Sequence, residues 1–359
     1  MKSQFFFLRP DVITTPGTTR GLIVDLAKNS FFLVPNSLIK FISINNKKRV
    51  SSIIKRYSQS EQKVVEEYLN WLVGEGFALL CSNENFVKNV GELNKTWSSP
   101  FSITNCILEV SKKNQKNANQ IVKKLSLYKI PFLELRIFHP IEFSSLSILL
   151  SSIQKSEIKH VCLIIKYANE LEFVNIKKEF KFLTVIYSVN IFSAPYNKTF
   201  QIQGGTTLVS YRTESLQNSC CGKVDVKYFR PNLEFYTEAS RYNSCLNRKI
   251  SIDDNGEIRN CPSMLKSFGN INNTSLDEVI TKHEFKKVWT ITKDRIATCK
   301  VCEFRDICQD CRAYLQSPSD IYSKPLKCGY DPYTGKWEDW SINPLSFETI
   351  KFYAIEHIK

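Results

Sequence analysis

The spacing of the cysteines near the C-terminus constrains this chain more than any other feature. Seven of its twelve cysteines fall after residue 244, and they include two Cys-x2-Cys pairs that stand five residues apart. A two-residue gap lets both thiolates of a pair face one metal centre, and coordination keeps them deprotonated. Few long apolar runs surround these residues, so we expect metal to hold this segment together. The seven candidate ligands are Cys245, Cys261, Cys299, Cys302, Cys308, Cys311 and Cys328.

Two kinds of metal centre are compatible with this series. One structural zinc could bind the four closely spaced cysteines between Cys299 and Cys311. That arrangement leaves Cys245, Cys261 and Cys328 without a role. Two iron–sulfur clusters account for the series better, because each cluster takes up to four cysteines.

The rest of the sequence indicates a compartment in which thiols stay reduced. No apolar run approaches the roughly 18 residues of a membrane span. The apolar residues Phe5–Leu8 are followed at once by Arg9-Pro10 and are too few for a signal peptide. We therefore expect a cytoplasmic protein with no membrane partner, whose cysteines bind metal rather than form disulfides.

Residues 1–95 combine short strands with three helical patterns. The apolar runs predict a small antiparallel meander with a turn at Pro16-Gly17. Ser58 and Glu61 fit a capping box, and the helix behind them ends at Gly74. This combination predicts a winged-helix-like domain. The predicted strands are Phe5–Leu8, Gly21–Leu26, Ser30–Pro35 and Phe77–Cys81, and the predicted helices are Asn36–Ile42, Val50–Tyr57 and Ser60–Val73.

Residues 96–225 alternate apolar strands with helices. Such alternation predicts an α/β fold with a parallel sheet covered by helices. Four or five units would form an open sheet or a partial (β/α) barrel rather than a complete one. The predicted strands are Phe101–Val110, Pro131–Phe138, His160–Lys166, Phe182–Val189 and Thr206–Tyr211, and the predicted helices are Asn117–Leu127, Ile141–Ile153 and Asn169–Phe180.

Residues 226–359 are rich in loops and contain the cysteine series. Asp254-Asn255-Gly256 separates two short strand patterns and predicts a hairpin with a type I′ turn. A helical stretch begins near Ser275 and runs towards Trp289. The three segments together predict an α/β protein of three domains.

The cysteine series resembles the SPASM domain, which occurs at the C-terminus of many radical SAM peptide-modifying enzymes and carries two auxiliary [4Fe-4S] clusters. The matching pattern is Cys-x10-Gly-x4-Cys, then Cys-x2-Cys-x5-Cys-x2-Cys, then a last Cys. Only Gln309-Asp310 separate the fifth and sixth cysteines, where three residues are typical. That variant, together with the segment Lys324–Tyr330, is similar to the maturase subfamily of the grasp-with-spasm peptide systems.

This resemblance implies a ligand set for each cluster. It assigns Cys299, Cys302, Cys308 and Cys328 to one cluster. It assigns Cys245, Cys261 and Cys311 to the other, whose usual fourth ligand lies between the first two. Residues 246–260 contain no cysteine, so either one iron is open or an upstream residue supplies the ligand. The upstream candidates are Cys220 and Cys221, of which we expect one at most to bind.

The signature of the reactive radical SAM cluster is missing from the sequence. That cluster needs Cys-x3-Cys-x2-Cys, and no Cys-x3-Cys pair occurs in the chain. In the family plan this loop follows the first strand of the middle segment. Residues 103–113, which occupy that position here, contain only one cysteine, Cys106. We therefore expect a degenerate barrel that does not cleave S-adenosylmethionine reductively. Cys106 and Cys162 lie in apolar strands and are interpreted as core residues.

The charge distribution favours an acidic partner for the front of the chain. Residues 1–95 hold 13 basic and 8 acidic residues, residues 96–244 hold 19 and 11, and residues 245–359 hold 17 and 16. In peptide-maturation proteins a winged-helix-like unit often binds a leader peptide as an added strand. Here the groove would lie between the strands Gly21–Leu26 and Ser30–Val34 and the helix Ser60–Val73. No helix carries the basic cluster of a DNA-recognition helix, which makes nucleic acid the weaker candidate.

Three functions remain compatible with these features, and whether the chain is itself an enzyme stays open. The first is a maturation protein for ribosomally synthesised, post-translationally modified peptides, which recognises the precursor while an ATP-grasp ligase, implied by the resemblance alone, performs the ligation. The second is a redox enzyme that acts at an open iron of the Cys245, Cys261 and Cys311 cluster. The third is a metal-containing winged-helix regulator that binds DNA.

Overall fold

The front of the chain folds into two small antiparallel sheets and a group of helices. The structure, a computed structural model, describes residues 2–202, 207–216 and 220–355. The elements up to residue 95 are β1 (Phe5–Leu8), β2 (Val12–Pro16), β3 (Gly21–Asp25), β4 (Ser30–Val34), α1 (Asn36–Asn45), β5 (Lys48–Arg49), α2 (Val50–Lys55), α3 (Gln59–Gly74), β6 (Ala78–Cys81) and α4 (Glu84–Asn89). One sheet has the order β2-β3-β4 and the other β5-β1-β6.

The prediction of one meander containing Phe5–Leu8 is wrong, because β1 belongs to the second sheet. Its side chains are buried on both faces, so the strand needs cover from two sides. Phe6 packs in the core beneath α1, α2 and α3, while Phe5 and Phe7 pack with Val87 of α4. The Pro16-Gly17 turn and the Ser58 capping box are both confirmed.

The middle of the chain forms a mixed α/β layer. Its elements are β7 (Asn105–Glu109), α5 (Ala118–Ser126), β8 (Phe132–Ile137), α6 (Phe143–Gln154), β9 (His160–Lys166), α7 (Phe173–Phe180), β10 (Ile186–Phe192), β11 (Lys198–Ile202) and β12 (Thr207–Tyr211). Strands β7, β8, β9, β10 and β12 are parallel to their neighbours within this set, which confirms the predicted parallel arrangement. Strand β11, which the sequence analysis missed, is short, largely exposed and antiparallel at one edge. The first residue of the predicted strand Thr206–Tyr211 lies outside the described residues.

The cysteine-rich segment extends the same sheet. Its elements are α8 (Leu233–Ala239), β13 (Lys249–Ile252), β14 (Ile258–Arg259), α9 (Leu276–Thr281), α10 (His283–Lys286), β15 (Tyr330–Asp331), β16 (Lys336–Trp337) and α11 (Phe347–Phe352). Strand β13 pairs in parallel with β7, so the described strands form an eight-stranded sheet of order β11-β12-β10-β9-β8-β7-β13-β14. Both segments therefore contribute to one hydrophobic core.

Two local predictions in this segment need correction. The hairpin between β13 and β14 forms, but its turn is not type I′, because φ is positive at Gly256 and not at Asp254 or Asn255. The turn is the type I form followed by a left-handed glycine, with Gly256 N–H donating to Asp253 C=O at 2.9 Å. The helical stretch towards Trp289 is interrupted where Lys282 adopts an extended conformation between α9 and α10.

The sheet β2-β3-β4 packs against the cysteine-rich segment. Leu22 and Val24 of β3 are fully buried against Phe304, Ile307 and Tyr330. The cysteine motif thus forms the support beneath one face of the N-terminal sheet. Among the described helices, none combines the length and apolar character that a bilayer span requires.

Candidate metal centre

The structure gathers four cysteines on the irregular stretch that follows α10. Short 3-10 turns at residues 299–301 and 303–306 place the thiols close enough to influence one another. Burial raises the pKa of Cys299, Cys302 and Cys308, and neighbouring thiols of the same group raise it further. We call this set the first thiol group, and it consists of Cys299, Cys302, Cys308 and Cys328.

The second set of cysteines surrounds a cavity of about 250 Å³. Burial raises the pKa of Cys261 and Cys311 to about 12, and the thiols of Cys245 and Cys221 add to the rise. Thiols with such pKa values become good ligands only when a metal displaces their protons. We call this set the second thiol group, and the cysteines that line its cavity are Cys220, Cys221, Cys245, Cys261 and Cys311.

A buried ionic network separates the two groups. Asp310 accepts from Arg312 Nη2 at 2.7 Å and lies 3.6 Å from Lys293 Nζ. Lys293 Nζ also lies 3.5 Å from Cys308 Sγ of the first group. All three charged side chains are less than a tenth exposed. Inside the protein, the negative charge of Asp310 is therefore compensated by the two cations Lys293 and Arg312.

Asn243 connects this network to the second group. Its side-chain N–H donates to Asp310 Oδ2 at 2.7 Å, and its side-chain oxygen accepts from the backbone N–H of Cys245 at 3.0 Å. The residue is almost fully buried. Asn243 therefore fixes the loop that presents Cys245.

Lys249 supplies a cation to the second thiol group. It projects from β13, and its Nζ lies 3.5 Å from Cys245 Sγ. Desolvation lowers the pKa of Lys249, but Cys245, Cys261 and Cys221 outweigh that effect and leave the pKa above its ordinary value. The lysine thus remains charged beside these thiols.

The sequence analysis missed these positioning residues, although some left a signal. Asp310 and Arg312 are charged residues inside the densest part of the cysteine motif, a location where burial demands partners. Lys249 and Lys293 gave no such signal, because only the tertiary fold brings them to the thiols.

A polar patch of the large sheet adjoins the second thiol group. Glu134 and Arg136 project from β8 on the face opposite the helix-packed core, and Arg136 Nε lies 2.5 Å from Glu134 Oε1. Burial lowers the pKa of Arg136, but Glu134 and Cys221 outweigh it and leave the pKa raised. The alternation of apolar and polar residues in β8 was the available sequence signal.

The interpretation of Cys106 as a core residue is confirmed, whereas Cys162 lies on the other face of the sheet. Cys106 is fully buried in the core beneath the helices. Cys162 stands in register with Glu134, on the polar face, and accepts a long hydrogen bond of 3.6 Å from Asn190.

The loop after β7 is closed by the side chain of Asn114. Its oxygen accepts from Ser111 N–H at 2.9 Å, and its N–H donates to Glu109 C=O at 2.9 Å.

The cysteines of the two thiol groups are free and do not converge on one metal position. In the described ranges every cysteine is a free thiol, and no three His, Cys, Asp or Glu side chains converge as they would on one metal ion. The cations Lys249 and Lys293 would offset the negative charge of thiolates that bind a metal centre here.

One family model matches part of the chain. Residues 244–312 match the family model of SPASM, an iron–sulfur cluster-binding domain. This confirms the SPASM resemblance for that region. The six series cysteines within it are Cys245, Cys261, Cys299, Cys302, Cys308 and Cys311. No curated protein matches the sequence at a significant level.

The fold comparison finds distant likeness to SuiB of Streptococcus suis. The structure of SuiB bound to S-adenosylmethionine has 10% identity and a TM-score of 0.38, over 89% of this chain and 99% of that one. The structure of SuiB bound to the precursor peptide SuiA has 10% identity and a TM-score of 0.37, over 89% and 98%. At this distance the function must be inferred from the chain's own residues.

Proposed function

We propose that this protein acts in the maturation of a ribosomally synthesised, post-translationally modified peptide. Residues 1–95, as a winged-helix-like unit, bind the leader of the precursor. The cysteine-rich segment holds two [4Fe-4S] clusters as a rigid scaffold, and the middle segment is a degenerate partial barrel. A separate ATP-grasp ligase modifies the bound peptide. The observation that carries this proposal is an open, apolar strand edge beside α3.

That edge belongs to β4, the last strand in the order β2-β3-β4. An edge strand offers backbone N–H and C=O groups to a further strand, and extended peptides bind folded domains in this way. Phe32 and Leu33 of β4 are 38% and 43% exposed. Phe32 lies on the face of the sheet that carries α3 and Leu33 on the opposite face, so side chains of a paired peptide strand that point towards α3 would contact Phe32.

Helix α3 provides a second wall for the bound peptide. Trp71 of α3 contacts Phe32 edge to face, with the ring centroids 6.5 Å apart. Tyr68 and Val64 lie on the same helix face, at spacings of three and four residues. Val64 is 46% exposed. The groove between β4 and α3 thus offers apolar contacts for alternate side chains of a strand.

The charge of the N-terminal segment favours an acidic peptide. Its surplus of basic residues raises the rate at which an acidic chain associates, and added salt weakens this effect. Lys63 and Lys28 are exposed, on α3 and beside the end of β3 respectively. Long-range attraction followed by strand pairing suits a leader peptide better than a DNA duplex.

A binding titration with the full-length protein tests this function. The probes are a fluorescein-labelled acidic peptide with alternating apolar residues, a basic peptide with the same apolar residues, and a random DNA duplex. We expect the acidic peptide to bind best, with an affinity that falls as salt rises. Tighter binding of the duplex would overturn the proposal in favour of a regulator.

Loading the cysteine-rich segment tests the scaffold role. Anaerobic reconstitution should give about eight irons and as many sulfides per chain, which corresponds to two [4Fe-4S] clusters. One zinc and no iron would refute it. Modification of a peptide by the purified, cluster-loaded protein alone would show that the chain is an enzyme rather than a scaffold.

A further inference from the structure

The residues between Cys302 and Cys308 of the first thiol group form a surface that supports the sheet β2-β3-β4. We call residues 303–307 the platform loop. Phe304 of this loop packs edge to face against Phe31 of β4, with the ring centroids 6.3 Å apart. Phe304 also belongs to the buried cluster that contains the inner side chains of β3. The strand whose edge is proposed to bind a peptide therefore rests on a loop between two candidate metal ligands.

Polar side chains of the platform loop hold the end of β2. Asp306 Oδ2 accepts from Thr15 Oγ1 at 2.5 Å, and Thr15 is 1% exposed. Arg305 Nη1 donates to the carbonyl of Pro16 at 2.7 Å. These bonds join residues that are 291 and 289 positions apart in the chain. They form only when the loop and the strand are both in place.

The turn between β2 and β3 is fitted closely against the first residue of the platform loop. A Cβ built on Gly17 would lie 2.9 Å from both Cβ and Oε2 of Glu303. The side chain of Glu303 is fully buried at this contact. Because so little space separates the two segments, a shift of the platform loop would move the turn as well.

Regular secondary structure contributes little to the shape of the platform loop. Residues 303–306 form a single 3-10 turn, and Cys308 N–H donates to the carbonyl of Phe304 at 2.9 Å. Such short turns are weak by themselves, because the geometry of their hydrogen bonds is poor. A metal centre bound by Cys302 and Cys308 would fix both ends of the loop, so that its binding energy would stabilise the fold.

We infer that metal in the first thiol group controls peptide binding, because it orders the platform loop and, through that loop, the sheet β2-β3-β4. Metal in the second thiol group has a smaller effect on this sheet. The inference rests on the peptide-binding role proposed above, and it holds for zinc as well as for an iron–sulfur cluster. Without metal in the first group, one face of the sheet loses its support, and the edge of β4 is no longer held in place for a peptide strand.

The test compares Cys302→Ala with Cys261→Ala, which remove one candidate ligand from the first and the second thiol group respectively. Both full-length variants are loaded with metal anaerobically, and their metal and sulfide contents are measured. Hydrogen–deuterium exchange then reports the protection of the backbone in residues 12–34, which contain β2, β3 and β4. The strand Phe5–Leu8, in the other N-terminal sheet, is the internal reference. Neither readout depends on catalytic activity.

We expect residues 12–34 to exchange about tenfold faster in Cys302→Ala than in Cys261→Ala, while Phe5–Leu8 exchanges equally in both. The affinity for the acidic probe peptide should be about tenfold lower in Cys302→Ala. The inference is overturned if residues 12–34 are equally protected in the two variants, or if they are less protected in Cys261→Ala.

A second variant decides the question if Cys302→Ala does not fold. Thr15→Val removes the bond to Asp306 and leaves every cysteine in place. It is introduced into Cys261→Ala, whose remaining metal is expected in the first group. Coupling acts in both directions, so a loosened sheet should let a lower chelator concentration remove half of that metal. An unchanged chelator concentration would overturn the inference.

The outcome is separable from that of the proposed function. If the acidic peptide does not bind the wild-type protein, the recognition role is refuted, and the exchange of residues 12–34 still decides whether metal orders the sheet. If the peptide binds the wild-type protein and both cysteine variants equally well, with equal protection of residues 12–34, this inference alone is refuted. A wild-type protein that contains zinc and no iron would refute the cluster role alone.

Discussion

Arg20 and Glu303 form an ion pair that joins the N-terminal sheet to the cysteine motif. Arg20 Nε lies 2.9 Å from Glu303 Oε1, and the Glu303 side chain is fully buried. The hydroxyl of Tyr330 donates to the same carboxylate oxygen. Glu303 directly follows Cys302 of the first thiol group. The surface proposed to hold a peptide and the segment proposed to hold clusters are thus joined by an ion pair whose carboxylate is buried and whose guanidinium is partly exposed.

Removing Arg20 should destabilise the protein, because Glu303 would remain buried without its cation. We expect Arg20→Ala to lower the free energy of unfolding by roughly 2 kcal/mol, less than for a fully buried pair since Arg20 is a third exposed. Chemical denaturation of the cluster-loaded protein measures the loss. The double variant Arg20→Ala with Glu303→Gln should recover part of it, and an equal or greater loss in the double variant would contradict this explanation.

Substitution of Gly222 should disturb the second thiol group specifically. In Gly222→Ala the new methyl group meets the Cys311 sulfur, and the left-handed backbone costs about 1 kcal/mol. We expect iron content to fall by up to half. Gly74→Ala is the matched control, since a Cβ there meets nothing within 4 Å. Equal iron content in the two variants would count against the proposed fit.

An acidic substitution in the proposed groove should weaken peptide binding. Val64→Glu places a negative charge on the face of α3 that also carries Tyr68 and Trp71, along which the acidic leader is proposed to lie. We expect the affinity for the acidic probe peptide to fall at least tenfold, as measured by fluorescence anisotropy. Leu265→Glu serves as control, because Leu265 is 86% exposed on the cysteine-rich segment. If both variants bind equally well, the groove lies elsewhere.

Glu238 should make stability depend on pH. Burial raises its pKa above the ordinary value, despite a hydrogen bond of 2.8 Å from Asn247. The folded state then binds a proton more tightly than the unfolded state, so stability falls as pH rises from 4.5 through the folded-state pKa. Glu238→Gln should remove this dependence and raise the thermal midpoint at neutral pH.

Calorimetric scans between about pH 5 and pH 8 test the role of Glu238, and the gain from Glu238→Gln should shrink towards the acidic end. Glu348→Gln, at an 87% exposed side chain, is the control. A gain that stays constant across the range would show that ionisation of Glu238 is not its cause.

Local patterns in the sequence predicted much of this architecture. The strand His160–Lys166 has the predicted bounds, and the helix after Ser58 begins where its capping box indicates. The cysteine spacing identified the segment that matches an iron–sulfur domain. These features depend on residues close together in the chain, which is why they could be read from it.

The rest depends on pairings between distant residues. Nothing in Phe5–Leu8 indicates that it pairs with Ala78–Cys81 rather than with the next strands, because several apolar partners are available. The contact of Gly222 with Cys311 spans almost ninety positions. The partners of Lys293 and Asn243 likewise come from distant turns that carry no regular pattern.

The pairing of β13 with β7 has a consequence for dividing the chain into fragments. Strand β7 is buried within the sheet, and its neighbour on one side arrives from residues 249–252. A fragment that ends before residue 245 would leave this apolar strand as an open edge, and such edges promote aggregation. The cysteine-rich segment therefore also acts as the cap that keeps the sheet from pairing with other copies of itself.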